Sequence, residues 1–207
     1  MRTINSYIVE KLKLNKDSGD KYNYYPEDKD ELRSLIEQLL EERGPDADLN
    51  DIDVSNITDM NGLFNEDLNP GEIDISKWDV SNVKDMNRMF GLCENFSSDL
   101  SSWDVSNVKD MECMFTNCKN FNSDLSKWDV SSVENMSCMF MNCETFNSDL
   151  SNWDVSNVRK MIYMFAGCKN FNSDLSSWNV SNIKDMSHMF DNCNSLKVNP
   201  KWYKSKK

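Results

Sequence analysis

Seven cysteines, one histidine and three rows of aspartates are the side chains of this 207-residue chain best equipped for chemistry, and all of them recur on one spacing. Cys93, Cys118, Cys143, Cys168 and Cys193 stand 25 residues apart, while Cys113 and Cys138 share a second slot five residues earlier in adjacent copies. A disulfide framework shows an even cysteine count in a small secreted domain, and a zinc site shows close pairs such as Cys-x-x-Cys. Neither pattern is present. The ladder cysteines therefore read as reduced thiols packed like small hydrophobes. Cys113 and Cys138, on a slot that varies between copies, read as the pair open to thiol reagents.

The carboxylates form the rows Asp74, Asp99, Asp124, Asp149, Asp174, then Asp79, Asp104, Asp129, Asp154 with Asn179 continuing it, and the partial row Asp85, Asp110, Asp185. Two charges about 5 Å apart in water repel by roughly 0.8 kcal/mol, and by more near a protein surface, so such rows need donors, solvent or cations. Calcium takes about six to eight oxygens. However, no EF-hand loop or Gly-Gly-x-Gly-x-Asp repeat occurs, and aspartates at turns commonly accept local backbone N–H bonds. No metal and no cofactor are expected, and calcium-dependent binding stays as a third reading.

Catalysis finds no foothold. A nucleophile needs a base within hydrogen-bond reach, and the single histidine, His188, falls on the slot that holds Arg88, Cys113, Cys138 and Tyr163 in the other copies. A slot that accepts such different side chains is a surface position. There is no Gly-rich phosphate loop, so no catalytic residue is assigned and the chain is not expected to be an enzyme.

The elements behind these residues follow from the repeat. Trp78, Trp103, Trp128, Trp153 and Trp178 are also 25 residues apart, and a period in this range is the mark of a solenoid whose neighbouring units share one core. In the 103–127 copy, Trp103 and Val105 alternate with Ser102, Asp104 and Ser106, the pattern of a short strand. Val108, Met111, Met114, Phe115 and Cys118 then follow helical spacing, with Asn107 and Asp110 placed as N-cap and N3 partner. Each turn is thus expected as strand, short helix and return loop, with Phe121 re-entering the core. Before the repeats, Leu32, Leu35, Ile36, Leu39 and Leu40 mark one face of a helix from Pro26 to Arg43, ended by Gly44-Pro45, that caps the open end. Lys21 to Tyr25 reads as a short strand, and Ile4, Tyr7, Ile8 and Leu12 as a first amphipathic helix.

Charge and hydropathy narrow the partners. The net charge of −12 divides into −4 over residues 1–50, −13 over 51–196 and +5 over 197–207. An acidic repeat surface repels phosphate backbones, so no nucleic acid is expected. The lysines Lys197, Lys201, Lys204, Lys206 and Lys207 read as a solvated tail. Mean hydropathy is −0.68, and no apolar run is long enough for a membrane span.

The runs Asp-Val-Ser-Asn-Val, Met-x-x-Met-Phe-x-x-Cys and Phe-Asn-x-Asp-Leu-Ser-x-Trp resemble the repeat of the BspA-like family of bacterial surface proteins. The match spans residues 51–196, with five near-intact copies and a degenerate first copy from Ile52 that holds an extra residue near Pro70-Gly71. The resemblance implies an α/β fold: a right-handed leucine-rich-repeat-like solenoid of about six 25-residue strand-helix turns with an N-terminal helical cap. The domains are then an N-terminal segment and cap at 1–50, repeats at 51–196 and a basic tail at 197–207. Family members are placed at cell surfaces as adhesins or lipoproteins. Here the N-terminus shows no signal-peptide core and no lipid-attachment cysteine follows it, so a cytoplasmic or particle-associated location is expected. The short N-terminal segment followed by a small domain is also similar to tailed-bacteriophage proteins that dock through an N-terminal helix.

In leucine-rich-repeat geometry the strand face becomes concave, and it would carry Lys77, Asp79, Asp104, Asp129 and Asp154. The helix slots instead vary, as Asn87-Arg88, Glu112-Cys113, Ser137-Cys138, Ile162-Tyr163 and Ser187-His188. Arg88, Ile162, Tyr163 and His188 therefore form the second candidate binding strip. The expected function is non-enzymatic binding of a protein or surface glycan, adhesin-like. The alternative is a structural or phage-particle-associated protein docked through its N-terminal segment, with the repeats as spacer.

Overall fold

Asp28 opens the first element. Its carboxylate accepts the Glu31 N–H at 2.9 Å, satisfying one of the orphan donors at the start of helix α1, Lys29–Arg43. Gly44 stops the helix with φ 91° and its N–H on the Leu40 carbonyl at 2.9 Å. Leu32, Leu35, Ile36 and Leu39 are buried, so the apolar face lies where the spacing puts it, although the helix begins three residues after Pro26. The computed structural model describes residues 21–64, 68 and 70–204. The Ile4 to Leu12 helix and the residues of the proposed docking segment, 1–20, lie outside the described residues. The Lys21 to Tyr25 strand reduces to one parallel bridge, Tyr24 with Ile52.

The repeats correct the expected architecture. Among the described residues there is no sheet, and the copies from Trp78 onward contain no helix; parallel contacts are isolated bridges running Asp59, Asp85, Asp110, Asn135, Lys160, Asp185. The backbone hydrogen bonds give the reason. The N–H groups of Met111, Cys113, Phe115 and Asn117 donate to Asn135, Ser137, Met139 and Met141 in the next copy, at 2.7–3.0 Å. Those of Met114, Thr116 and Cys118, lying between them, close onto Met111, Cys113 and Phe115. Every second donor thus goes to the neighbour and the others form three-residue-back turns, whereas an α-helix spends each donor on the fourth residue back. Cys113 and Asn117 also have φ of 57° and 62°, in the left-handed region a right-handed helix excludes. A positive φ at the third residue of such a bonded turn is the type II pattern.

The strand half fails similarly. Trp103 N–H closes on Leu100 O at 3.1 Å and Val108 N–H on Val105 O at 2.9 Å, so the alternation of Trp103 and Val105 belongs to a stretch between two turns. Asn107 is no N-cap: its side-chain amide donates to Ser81 O, 2.8 Å away in the preceding copy. The strand-helix solenoid and its concave strand face are therefore replaced by a stack of 25-residue rungs built from turns and irregular backbone.

Aromatic rings fill the stack. Phe64, Phe90, Phe115, Phe140, Phe165 and Phe190 form one column with centroids 5.1–5.8 Å apart. Phe96, Phe121, Phe146 and Phe171 form a second at 5.8–6.2 Å. The columns interlock, as Phe115 and Phe121 do at 4.0 Å.

Both ends of the stack are closed by side chains. Arg33 of α1 donates to Gly62 O and Leu63 O, each at 3.0 Å; at Leu63 it replaces the donor that a preceding rung brings elsewhere, as Phe64 N–H does for Met89 O at 2.9 Å. At the other end Trp202 stacks on Trp178 at 6.2 Å and 7°. The Tyr203 ring covers Phe190 edge-on, with centroids 4.9 Å apart at 84°, and so lies over backbone that has no further rung to meet. In earlier rungs the Phe190 equivalent donates to the next copy, as Phe165 does to Met189 at 2.9 Å. Residues 205–207 lie outside the described set.

Candidate functional site

The aspartates are engaged in local turns. Asp104, Asp129 and Asp154 each accept the backbone N–H two residues on, from Ser106, Ser131 and Ser156, at 3.0 Å. Asp79 does the same with Ser81 at 3.1 Å and Asp110 with Glu112 at 2.7 Å. The N–H groups of Ser101, Ser126 and Ser151 hold the carboxyls of Asp99, Asp124 and Asp149 below the usual carboxylate range. In this last row a serine of the following rung also intervenes: Ser123 Oγ donates to Asp99 at 3.1 Å and accepts from Leu100 N–H at 2.9 Å. The sequence reading missed that hydroxyl, whose signal is the Ser that recurs two residues before Leu125, Leu150 and Leu175, as Ser123, Ser148 and Ser173. Lys77 and Asp79, Asp104, Asp129 and Asp154 are all exposed, but as the outer edge of turns.

The ladder cysteines are structural. Cys118, Cys143, Cys168 and Cys193 donate their S–H to Phe90, Phe115, Phe140 and Phe165 carbonyls of the preceding rung at 2.9–3.0 Å. Burial pushes Cys93 and Cys193 up to about 12, and Cys118, Cys143 and Cys168 well above the ordinary thiol value. Such thiols are inert as nucleophiles at neutral pH.

The variable slot is brought together as one row. Arg88, Cys113, Cys138, Tyr163 and His188 all have φ of 53–59°, and Gly62 takes the same place in the first rung with φ 61°. The left-handed backbone turns these side chains outward; Arg88, Tyr163 and His188 are exposed. Tyr163 and His188 stack face to face at 4.8 Å and 9°, and His188 Nδ1 bonds Asp191 at 2.8 Å. Ile162, one residue earlier, is half-buried beside the row. The row thus presents a guanidinium, two thiols, a phenol and an imidazole along one line, on a backbone that keeps them in register. Chemically it offers contact groups of several kinds, with the exposed His188 and Asp191 as one acid–base pair.

No helix among the described residues is long and apolar enough to cross a membrane, and no group of three or more metal-ligating side chains occurs among them. No curated protein and no solved structure matches the chain. A family model matches it twice, over residues 34–147 and 123–207, so that it covers both the helix-capped start and the stacked rungs. The chain belongs to the repeat family described as Mycoplasma protein of unknown function, DUF285.

Proposed function

We propose that this chain is a non-enzymatic binding protein, adhesin-like in the manner of the BspA-like surface proteins, which captures a protein or a surface glycan along the Arg88–His188 row. The observation that carries this reading is where chemical variety lies. Most inward positions hold one residue type from Trp78 onward, whereas the outward left-handed slot holds Gly62, Arg88, Cys113, Cys138, Tyr163 and His188 in turn. Aromatic and arginine side chains are the commonest anchors of protein interfaces, and here they sit on a rigid, repeating scaffold. The acidic rungs oppose nucleic acid. The Asp104, Asp129 and Asp154 row serves turn geometry and is not the contact surface in this reading.

Binding of the full chain to arrayed glycans and to immobilised surface proteins tests the assignment. An Arg88→Ala, Tyr163→Ala double variant is expected to lose at least about tenfold in affinity, the loss of one or more anchors, with its thermal midpoint unchanged. Asp104→Asn, Asp129→Asn and Asp154→Asn together are expected to bind like the parent. Retained binding in the first variant with loss in the second would reject the row as the contact surface.

A further inference from the structure

Cys113 and Cys138 occupy the outward slot of consecutive rungs with the same backbone conformation, φ 57° at each. The rungs are in register there: Cys113 N–H donates to Ser137 O and Phe115 N–H to Met139 O, both at 2.9 Å, on either side of Cys138. Backbones joined in this way lie about 4.8 Å apart, inside the roughly 4.4–6.8 Å Cα window of a disulfide. The same slot in the next two rungs shows that its side chains do meet, since Tyr163 and His188 touch at 4.8 Å. Cys113 and Cys138 are half-buried, unlike the five ladder thiols.

The surroundings favour one thiolate. Cys138 hydrogen-bonds the Cys113 sulfur, and Thr116 and the Arg88 guanidinium add smaller hydrogen bonds; against the cost of partial burial and the nearby Glu112, they hold Cys113 down to about 6. The same contact pushes Cys138 up. The pair therefore gives up its first proton early and keeps the second. The Thr116 hydroxyl also bonds Cys138 O at 2.6 Å, which ties it to the backbone that carries the second thiol.

We propose that Cys113 and Cys138 are an oxidative modification site, a dithiol that reacts with hydroperoxides and closes a disulfide between adjacent rungs of the exposed row. The Cys113 thiolate attacks the terminal oxygen of the hydroperoxide; an S–O bond forms, the O–O bond breaks, and the leaving alkoxide takes a proton to become an alcohol. Cys138 then attacks the Cys113 sulfenic acid, forming the S–S bond, and the displaced hydroxide leaves as water with the Cys138 proton. Two thiols are oxidised by two electrons, and one hydroperoxide is reduced to alcohol and water. A low-pKa accessible thiol beside a resolving cysteine is the arrangement this chemistry requires. The bond would lie between Arg88 and Tyr163, within the strip assigned to partner contact.

The reduced full chain is treated with stoichiometric hydrogen peroxide near neutral pH, then unfolded and alkylated. The expected product is a monomer lighter by about 2 Da, with five of the seven thiols still alkylatable and a Cys113–Cys138 cross-linked peptide. Cys138→Ser is expected to stop at a sulfenic acid on Cys113 that dimedone captures. Cys113→Ser is expected to slow the peroxide reaction about tenfold or more. Both substitutions fall on a slot that already accepts Arg88, Tyr163 and His188, so both variants should melt like the parent. A peroxide rate no faster in the native than in the urea-unfolded chain would overturn the proposal. So would a cross-link to a ladder cysteine, an intermolecular dimer as main product, or the absence of any mass loss.

Discussion

The indole N–H of Trp128 donates to the carbonyl of Leu100, 3.0 Å away in the preceding rung, and that oxygen already accepts Trp103 N–H at 3.1 Å. Both lone pairs of one turn carbonyl are thereby filled, one from within the rung and one from the next. The same double use recurs at Leu125 with Trp153, at Leu150 with Trp178 and at Leu175 with Trp202, each indole bond being 2.9 Å. The ladder cysteines do the equivalent for the phenylalanine carbonyls, as Cys143 does for Phe115 at 2.9 Å. The long-range period thus reflects buried donors that exist to satisfy the neighbour.

Trp128→Ala is expected to lower stability by about 3–5 kcal/mol, as for other buried aromatics, while Trp202→Ala, at the partly exposed end of the indole column, costs clearly less. Trp128→Phe keeps most of the ring and leaves Leu100 O with its Trp103 bond, so about 1–2 kcal/mol is expected. Urea unfolding of the three variants checks the order. Equal losses at Trp128 and Trp202 would contradict a stack with weaker ends.

Leu92 is the misfit of the second left-handed row. It has φ 70° where the equivalent positions are Asn117, Asn142, Gly167 and Asn192, and its side chain is 42% exposed. Leu92→Asn keeps the N–H bond to Thr116 O at 2.7 Å and is expected to stabilise the chain by about 0.5–1 kcal/mol. The reverse change, Asn117→Leu, should destabilise by a similar amount in the same urea titration.

Much of this architecture was legible in the sequence, and the part that was not has one cause. The period, the α1 face from Leu32 to Leu39 and the inward set of Trp, Phe, Met and Cys are all read from spacing, because burial alone fixes them. Val108, Met111, Met114, Phe115 and Cys118 were legible as inward but not as turns. Successive three-residue turns return a side chain to the core every three or four positions, just as a helix does. The discriminating signal was Asn117, Asn142, Gly167 and Asn192, a column of residues that tolerate a left-handed backbone. Trp202 escaped because it follows Trp178 by 24 residues, one short of the period, within a lysine-rich end. The contact row itself was legible only as variation, since nothing in Arg88 or Tyr163 announces a positive φ.

Alkaline pH should unfold the chain sharply. Folded Cys118, Cys143 and Cys168 hold their protons well above the ordinary thiol value because of burial, while the unfolded thiols lose theirs near pH 8.5–9. The unfolded state then binds fewer protons than the native one, so stability falls as pH rises above that value, by roughly 1 kcal/mol per pH unit for each such thiol. Below about pH 8 these groups contribute no slope. In a Cys113→Ser background, which removes the rise above about pH 6 contributed by that low-lying thiol, urea midpoints between pH 7 and 10.5 should stay level and then drop steeply. Replacing Cys143 by Ala should shallow the drop while lowering the plateau, and an unchanged slope in that variant would contradict the burial assignment.

Replacing Asp104, Asp129 and Asp154 by Asn should leave the melting midpoint within about 1 °C, since an amide oxygen accepts the same turn N–H. Asn179 and Asn135 already do so, toward Ser181 at 3.2 Å and Ser137 at 3.1 Å. Alanine at the same three positions removes the acceptor and should cost about 0.5–1.5 kcal/mol each. Calorimetric melting of both triple variants separates turn chemistry from charge, and a large gain in the Asn variant would show that repulsion along the row dominates.

The backbone scheme of the 108–118 segment underlies both the contact row and the dithiol, and it can be measured directly. Through-hydrogen-bond scalar couplings in isotope-labelled protein report which carbonyl each amide uses. Couplings from Cys113 N–H to Ser137 and from Phe115 N–H to Met139, with those of Met114 and Thr116 going three residues back, are predicted, together with left-handed chemical shifts at Cys113 and Asn117. Couplings running four residues back through this segment, with helical shifts at Cys113, would contradict the stacked-turn architecture and the outward row that depends on it.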